Sequence, residues 1–487
     1  MASNRDLIVQ HIQQDFQALL AYVTGPQAQT QSAYTVELTL FRRLLALGAA
    51  LLRLFFLTCA AERPAAPLVA PHDTALPYHD QRSVAYYSVF GKLSLTRHYF
   101  YAAGLGGQCP LDASLSLPPC CYSDLLRDWL DYSCTDSAYR ESATALSRIL
   151  GLDLSIQALE TMVQIDATDV ASFYDHPPTA PPPSCGTILV AQADGKGVPM
   201  VQPPTTTTPL RLGKGHKRTQ KKEAVVTALY TIAPYLRTPQ EVLAALLHEP
   251  RSADQGARPR PIAKELRATL QGKQAAISKL VQRALLREGA HIRGRVALTD
   301  GAEALQGQMS AQLPTYTLVL DIIHASEYLW DSANALLGEA HAGRSSWVRG
   351  HLEQILSGQT AAVIAALEQE ARAPDRTPAQ VQAVRKTIGY YTRNLPYMAY
   401  DVYLAQGWPI GTGVVEGACG HVVKDRMEQA GMRWTQEGAQ AMLDLRAVRL
   451  NGDWEAYWTF HRQQQHERLY GTGVPDTMEA QVLRMAA

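Results

Sequence analysis

Four acidic residues sit in apolar surroundings where a lone carboxylate is costly. Asp194 ends the run GTILVAQAD (186–194), Asp300 ends RGRVALTD (293–300), and Asp321 ends TYTLVLD (315–321). Glu416 lies in WPIGTGVVEGACGHVVKDRMEQAGMRW (408–434), flanked by Val414, Val415 and Gly417. A carboxylate beside Val and Leu is disfavoured unless it is paired or holds a cation. Two Asp and one Glu supply hard oxygen donors for Mg²⁺ or Mn²⁺, ions that keep positions open for water and phosphate oxygens. A pair of such ions activates the attacking oxygen and stabilises the leaving one in phosphodiester displacement. Taken singly, each Asp also reads as a turn or helix cap, because Asp-Gly is common in turns. Glu416 alone reads as a solvated acid favoured by a helix dipole. Three strand-end acids in one domain, joined by an acid with apolar neighbours, shift the reading towards a metal site.

The elements that must position these acids follow from the pattern. Apolar runs at 186–198, 222–232, 293–305 and 315–330 read as strands, and Pro239 starts a helix through Leu247. Residues 261–287 read as another helix, 326–405 as an all-α insertion, and 414–450 as a closing helical run. Strands alternating with helices imply a largely parallel α/β sheet with helices on its faces, and residues beyond its carboxyl ends converge on one crevice. Upstream, DHPPTAPPPSC (175–185) is a Pro-rich linker. Before it, 1–65 reads as two helices broken at Gly25-Pro26, and 82–102 as a hairpin around Gly91-Lys92. Residues 138–175 read as two helices joined through Gly151, with Ser155 capping the second. A helix-turn-helix gives that pattern, and so does any helical hairpin.

Length and composition bound the rest. A chain of 487 residues exceeds one core, and 45 Lys+Arg against 45 Asp+Glu give no net charge. That excludes a globally basic coat protein and an acidic disordered chain, while DNA binding needs only local positive charge. Seven Cys without a CxxC pair read as reduced cytosolic thiols and disfavour a zinc module, with Cys109, Cys120, Cys121 and Cys134 its weak remnant. The apolar stretch 44–61 holds Arg53 and lies too far inside for a signal peptide, so a buried or partner-facing helix is expected and no membrane span. Local basic runs stand out. Arg211, Lys214, Lys217, Arg218, Lys221 and Lys222 follow the first Asp, and 251–295 carry eleven Lys/Arg against three acids. Both are expected to face phosphates.

Taken together, ADGKGVPM (193–200), RLGKGHKRTQKKEAVVTALYTIAPY (211–235), VALTDGAEALQ (296–306), LDIIHASEYLW (320–330) and GTGVVEGACGHVVKDRMEQAGMRW (411–434) resemble the DDE transposases of ISKra-type insertion sequences. YYSVFGKLSLTRHYFY and PLDASLSLP (110–118) extend the resemblance upstream. It implies a multidomain chain, with an α/β ribonuclease-H-like catalytic core carrying an all-α insertion, as in Mutator-like enzymes. Helical and small α+β DNA-binding regions precede that core. The boundaries are 1–65 helical, 66–175 end-binding, 176–186 linker, 187–330 first core part, 331–405 insertion and 406–487 second core part.

The resemblance further implies Asp194, Asp300 and Glu416 as catalytic ligands of two Mg²⁺ or Mn²⁺ ions. Asp321 and His324, in a DxxH arrangement, and Lys424 are accessory, and an exchange of Asp300 for Asp321 stays open. Lys424, Arg426, Arg433 and Trp434 join the 211–222 cluster as DNA contacts; for Trp434, stacking on a base and packing under the helix both stand. The expected reaction nicks insertion-sequence ends and transfers the freed strand into target DNA. The resemblance likewise implies a dimer or higher assembly on DNA in a bacterial cytoplasm, associated with the nucleoid. A ribonuclease-H-like nuclease or resolvase without joining, and a domesticated DNA-binding protein, are the rival readings.

Overall fold

The computed structural model describes residues 4–60, 68–70, 74–175, 186–202, 220–250 and 256–471. They form two compact units, one of 1–169 with 454–487 and one of 170–453.

The first unit begins with α1 (Asn4–Thr24) and α2 (Ala33–Cys59), the latter started by Ser32, whose hydroxyl accepts from the Thr35 N–H at 3.3 Å. Tyr34, Leu38, Phe41, Leu44, Leu51 and Phe55 recur on one face of α2 and stay exposed. The hairpin β1 (Tyr78–Ser88) and β2 (Gly91–Ala102) pairs antiparallel from Ser88↔Gly91, Gly91 taking φ +126°. Three helices follow: α3 (Asp124–Cys134), α4 (Tyr139–Leu150) and α5 (Ile156–Asp166). Gly151 (φ +71°) ends α4, and the Ser155 hydroxyl caps α5 by accepting from the Ala158 N–H at 3.1 Å. The helical pair is therefore as the sequence reads. Yet α5 holds Glu160 and Asp166 and no Lys or Arg.

The second unit is built on a five-stranded sheet that is mixed, with two of its four pairings antiparallel, rather than the largely parallel one expected. Its strands are β3 (Ile188–Pro199), β4 (Lys221–Ile232), β5 (Ile262–Thr269), β6 (Gly294–Thr299) and β7 (Thr317–Leu320). Their spatial order is β7-β6-β3-β4-β5; β3–β4 and β4–β5 run antiparallel, β3–β6 and β6–β7 parallel. Val, Ile and Leu dominate the central strands because both faces are covered. One face sets Leu189, Ala191, Val225, Leu229 and Ala297 against Ile277 and Leu280 of α6 (Lys273–Leu286) and Leu305 and Met309 of α7 (Glu303–Gln312). The other sets Val190, Val296, Leu298 and Val319 against the helical insertion. That insertion comprises α8 (Ile322–Leu337), α9 (Arg344–Leu356), α10 (Thr360–Arg372) and α11 (Pro378–Asn394). Each fully buried Leu or Val in these layers contributes about 1.5–3 kcal/mol.

Three sequence expectations are corrected. Residues 261–287 are not one helix but β5 followed by α6, divided at Gly272 (φ +93°). The strand expected over 315–330 is the four-residue β7, and α8 begins at Ile322. Asp194 does not end its strand, for β3 continues to Pro199 along β4.

Beyond the insertion come α12 (Gly413–Ala418), a π-type turn over Cys419–Lys424, and α13 (Gln436–Asn451). The last helix, α14 (Trp454–Tyr470), belongs to the first unit, whereas the sequence placed 406–487 with the core. There it closes a buried ion network. Arg127, fully buried, donates to Asp166, to Asp124 (3.2 Å) and to Gln465 (3.1 Å). His461 bridges Asp166 at 3.1 Å and Asp169 at 2.7 Å. Among the described residues no helix is long and apolar enough to cross a membrane, and the six described cysteines form no disulfide.

Candidate functional site

Strand register brings the aspartates together. Gln192 of β3 pairs with Leu298 of β6, and Thr299 of β6 with Leu320 of β7. Carried forward, those registers put Asp194, Asp300 and Asp321 on one row across the three parallel strands. Alternation puts them on the face of Val190, Leu298 and Val319, under the helical insertion.

The fourth acid is delivered by a polar clasp. Gln192, fully buried, donates to the Tyr230 hydroxyl (3.0 Å) and the Gly411 carbonyl (3.3 Å), and accepts from the Val415 N–H (3.0 Å). This fastens the start of α12 over β3. Thr412, buried there, places its hydroxyl 2.7 Å from Asp321 Oδ2 and 2.5 Å from Glu416 Oε1. Downstream, Arg446 of α13 donates to the Val422 carbonyl at 3.0 Å and to that of His421, satisfying backbone oxygens of the π-type turn.

Asp321, Glu416 and His324 each present a donor atom within 4.8 Å of the others, a group able to hold one cation. Among the described residues Asp194 and Asp300 join no such group. Their carboxylates have local partners instead. Asp194 accepts from the Gly195 N–H (2.6 Å) and the Cys419 thiol (3.3 Å), and Asp300 from the Ala302 N–H (2.8 Å). Asp321 is the most heavily engaged: it accepts from the Ile323 N–H (3.0 Å), from Thr412 and from His324 Nδ1 (2.7 Å).

The electrostatics follow from these contacts. Burial alone would raise Asp321, but the bonds from His324, Thr412 and Ile323 outweigh it and hold the carboxyl below its usual range. The same His324–Asp321 bond lifts the imidazole to about 9, against the opposing effect of burial. Glu416 is raised, by burial first and then by the charge of Asp321, with Thr412 opposing. Burial and the neighbouring Asp194 push the Cys419 thiol up, so it stays a neutral donor.

The basic residues separate into groups. Arg211, Lys214, Lys217 and Arg218 lie outside the described residues. Lys221 pairs with Glu428, and Lys222 donates to Gln436 at 2.7 Å. Lys424 and Arg433 are exposed. Arg426 and Trp434, expected to meet DNA, are both buried: the guanidinium lies 4.9 Å over the indole ring, and Trp434 Nε1 donates to the Met427 carbonyl. Packing beneath the helix thus claims both. Much of the positive surplus in 251–295 is also consumed inside the fold. Arg283 and Arg287 pair with buried Glu265, and Arg295 pairs with Glu288.

Sequence reasoning missed Gln192, Thr412 and Cys419 as parts of the site. The only signal was their place, two residues before Asp194, four before Glu416 and three after it.

No family model and no curated protein matches the chain. Among solved structures it is similar to the Drosophila P element transposase strand transfer complex, at 7% identity and a TM-score of 0.21, covering 71% of this chain and 81% of that one. A likeness of that size leaves the reading to the chain's own residues.

Proposed function

We propose that this protein is a DNA transposase with a ribonuclease-H-like core, which cleaves insertion-sequence ends and transfers strands by a metal-dependent DDE mechanism. The observation that carries the reading is the row of Asp194, Asp300 and Asp321 across parallel strands, with Glu416 brought against Asp321 through Thr412. The strand order, with two antiparallel and two parallel pairings, and the helical insertion between the last strand and the Glu-bearing helix support the same core.

The donor set fits hard divalent cations, since oxygens of Asp194, Asp300 and Glu416 suit Mg²⁺ or Mn²⁺. Asp300 is assigned as the second ligand and Asp321 as a positioning group. Asp321 already accepts three hydrogen bonds, whereas Asp300 uses one oxygen on the Ala302 N–H. When bound, the ions supply Lewis-acid activation of the attacking oxygen and charge stabilisation of the leaving one. The chain's own residues orient: Gln192 fixes the helix start, Thr412 aims Glu416, and Cys419 steadies Asp194. Lys424 and Arg433, exposed after Glu416, and the 211–222 cluster supply phosphate contacts. Joining two DNA ends in one complex calls for at least two copies of the chain.

The test incubates purified protein with Mg²⁺ or Mn²⁺ and DNA spanning both flanks of its own gene. Nicked and then joined products are expected, lost in Asp194→Ala, Asp300→Ala and Glu416→Ala. Cleavage without joining would replace the proposal with a nuclease. Full joining by Asp300→Ala with none by Asp321→Ala would exchange those two residues.

A further inference from the structure

Beside Asp321 and Thr412 the second unit opens into a cleft of about 230 Å³. It is lined by Ile322, Ile410 and Gly411, each within two residues of those site residues, and by Tyr235, Arg237 and Arg258. The arginines stand out because neither forms an ion pair among the described residues, Glu241 offsetting Arg237 only at a distance. Arg237 is tied to backbone carbonyls, through Nε to Tyr235 at 3.1 Å and through its terminal nitrogen to Trp408. Arg258 is exposed, and among the described residues neither arginine pairs with a carboxylate. The acid in the wall, Glu241, is engaged with the Thr238 N–H at 2.7 Å and the Thr238 hydroxyl at 3.1 Å.

Burial and the nearby Arg258 charge push the Arg237 guanidinium down to about 10. Two cations held together in this way attract an anion. The cleft also offers a flat surface: Arg237 lies 5.5 Å over the Tyr235 ring, whose hydroxyl donates to the Gly256 carbonyl at 3.2 Å. Aromatic and guanidinium planes are the usual platform for unpaired bases. The space is below the 300–1,000 Å³ or so of pockets for drug-sized ligands. It therefore admits a single base, with the phosphate left at the open rim, and excludes a duplex.

We propose that this cleft holds one unpaired nucleotide of the processed DNA strand, its phosphate between Arg237 and Arg258 and its base against Ile322, Ile410 and Tyr235. The assignment rests on the proposed function, and it makes the cleft a determinant of how far the strand must be opened next to the acids.

The experiment measures binding without metal, in EDTA, so that catalysis does not enter. The probes are a labelled 20-base-pair duplex with blunt ends and the same duplex with a one-nucleotide 2-aminopurine overhang, on either strand end. Wild-type protein binds one overhang probe on the order of tenfold more tightly than the blunt one and changes its fluorescence. Arg258→Ala, an exposed position that spares the fold, and Tyr235→Ala reduce that preference to below about twofold, with unchanged melting temperatures. Equal affinity for all probes, or a preference that survives both substitutions, overturns the proposal. Overhang preference without metal-dependent cleavage sustains the cleft and sinks the catalytic reading. Cleavage and joining without overhang preference sinks the cleft alone.

Discussion

Thr412 has one hydroxyl proton and two carboxylates against it, at 2.7 and 2.5 Å. It donates to one at a time, and so ties both acids to a single hydroxyl. Thr412→Val should therefore leave the fold intact while cutting strand joining on the order of tenfold to a hundredfold, because Glu416 loses its aim. Thr412→Ser should restore most of it, as read in the same joining assay. His324 gives a pH signature. Its folded-state value, about 9, lies above the ordinary imidazole range, so the stability it contributes is complete below about pH 6.5 and is lost as pH rises through about 9. In chelator, His324→Ala should lower the melting temperature at pH 6 and have no effect at pH 10. An equal loss at both pH values would refute the ion pair.

At the scale of elements, the turn after β6 depends on one backbone conformation. Gly301 has φ +88°, and a Cβ there would lie 2.6 Å from the Tyr390 hydroxyl. That hydroxyl donates to the Asp300 carbonyl at 2.8 Å, and its ring stacks on Tyr328 with centroids 3.8 Å apart. Gly301→Ala should cost at least about 1–2 kcal/mol from the left-handed backbone alone, seen as a lower urea midpoint, and should displace Asp300. In the first unit, Asp131 is buried with both oxygens lacking a hydrogen-bond partner, and burial followed by the nearby Asp166 raises it well above the usual carboxylate range. A raised acid costs stability as pH climbs above the unfolded value near 4. Asp131→Asn should then raise the melting temperature at pH 8 and do little at pH 4.

These same elements show what could be read in advance. The central strands were legible because β-branched runs such as VALT and TLVL have few alternatives. β5 was not: Lys264, Glu265 and Arg267 read as helix surface, yet Glu265 is buried because Arg283 and Arg287 close on it from α6. The acids of the site were visible as costly residues in apolar runs. Gln192 and Thr412 were not, since a neutral side chain carries no such cost until the fold buries it.

For the whole molecule, the exposed apolar face of α2 is a surface feature that calls for a partner. Tyr34, Leu38, Phe41, Leu44, Leu51 and Phe55 line a helix about 40 Å long. As the partner-facing helix expected from the sequence, with a second copy as the partner, it should give a dimer by light scattering at micromolar concentration, and Leu38→Glu with Phe41→Glu should give a monomer. An unchanged mass would remove this face from assembly.

The return of α14 to the first unit has a consequence for synthesis. Arg127 is made early, but His461 and Gln465, which it meets in the folded chain, leave the ribosome more than three hundred residues later. Until then the region expected to recognise DNA ends lacks its closing helix. A nascent or prematurely terminated chain would carry the acids of the site while the first unit still lacked its buried ion network, a built-in delay between finishing one unit and closing the other.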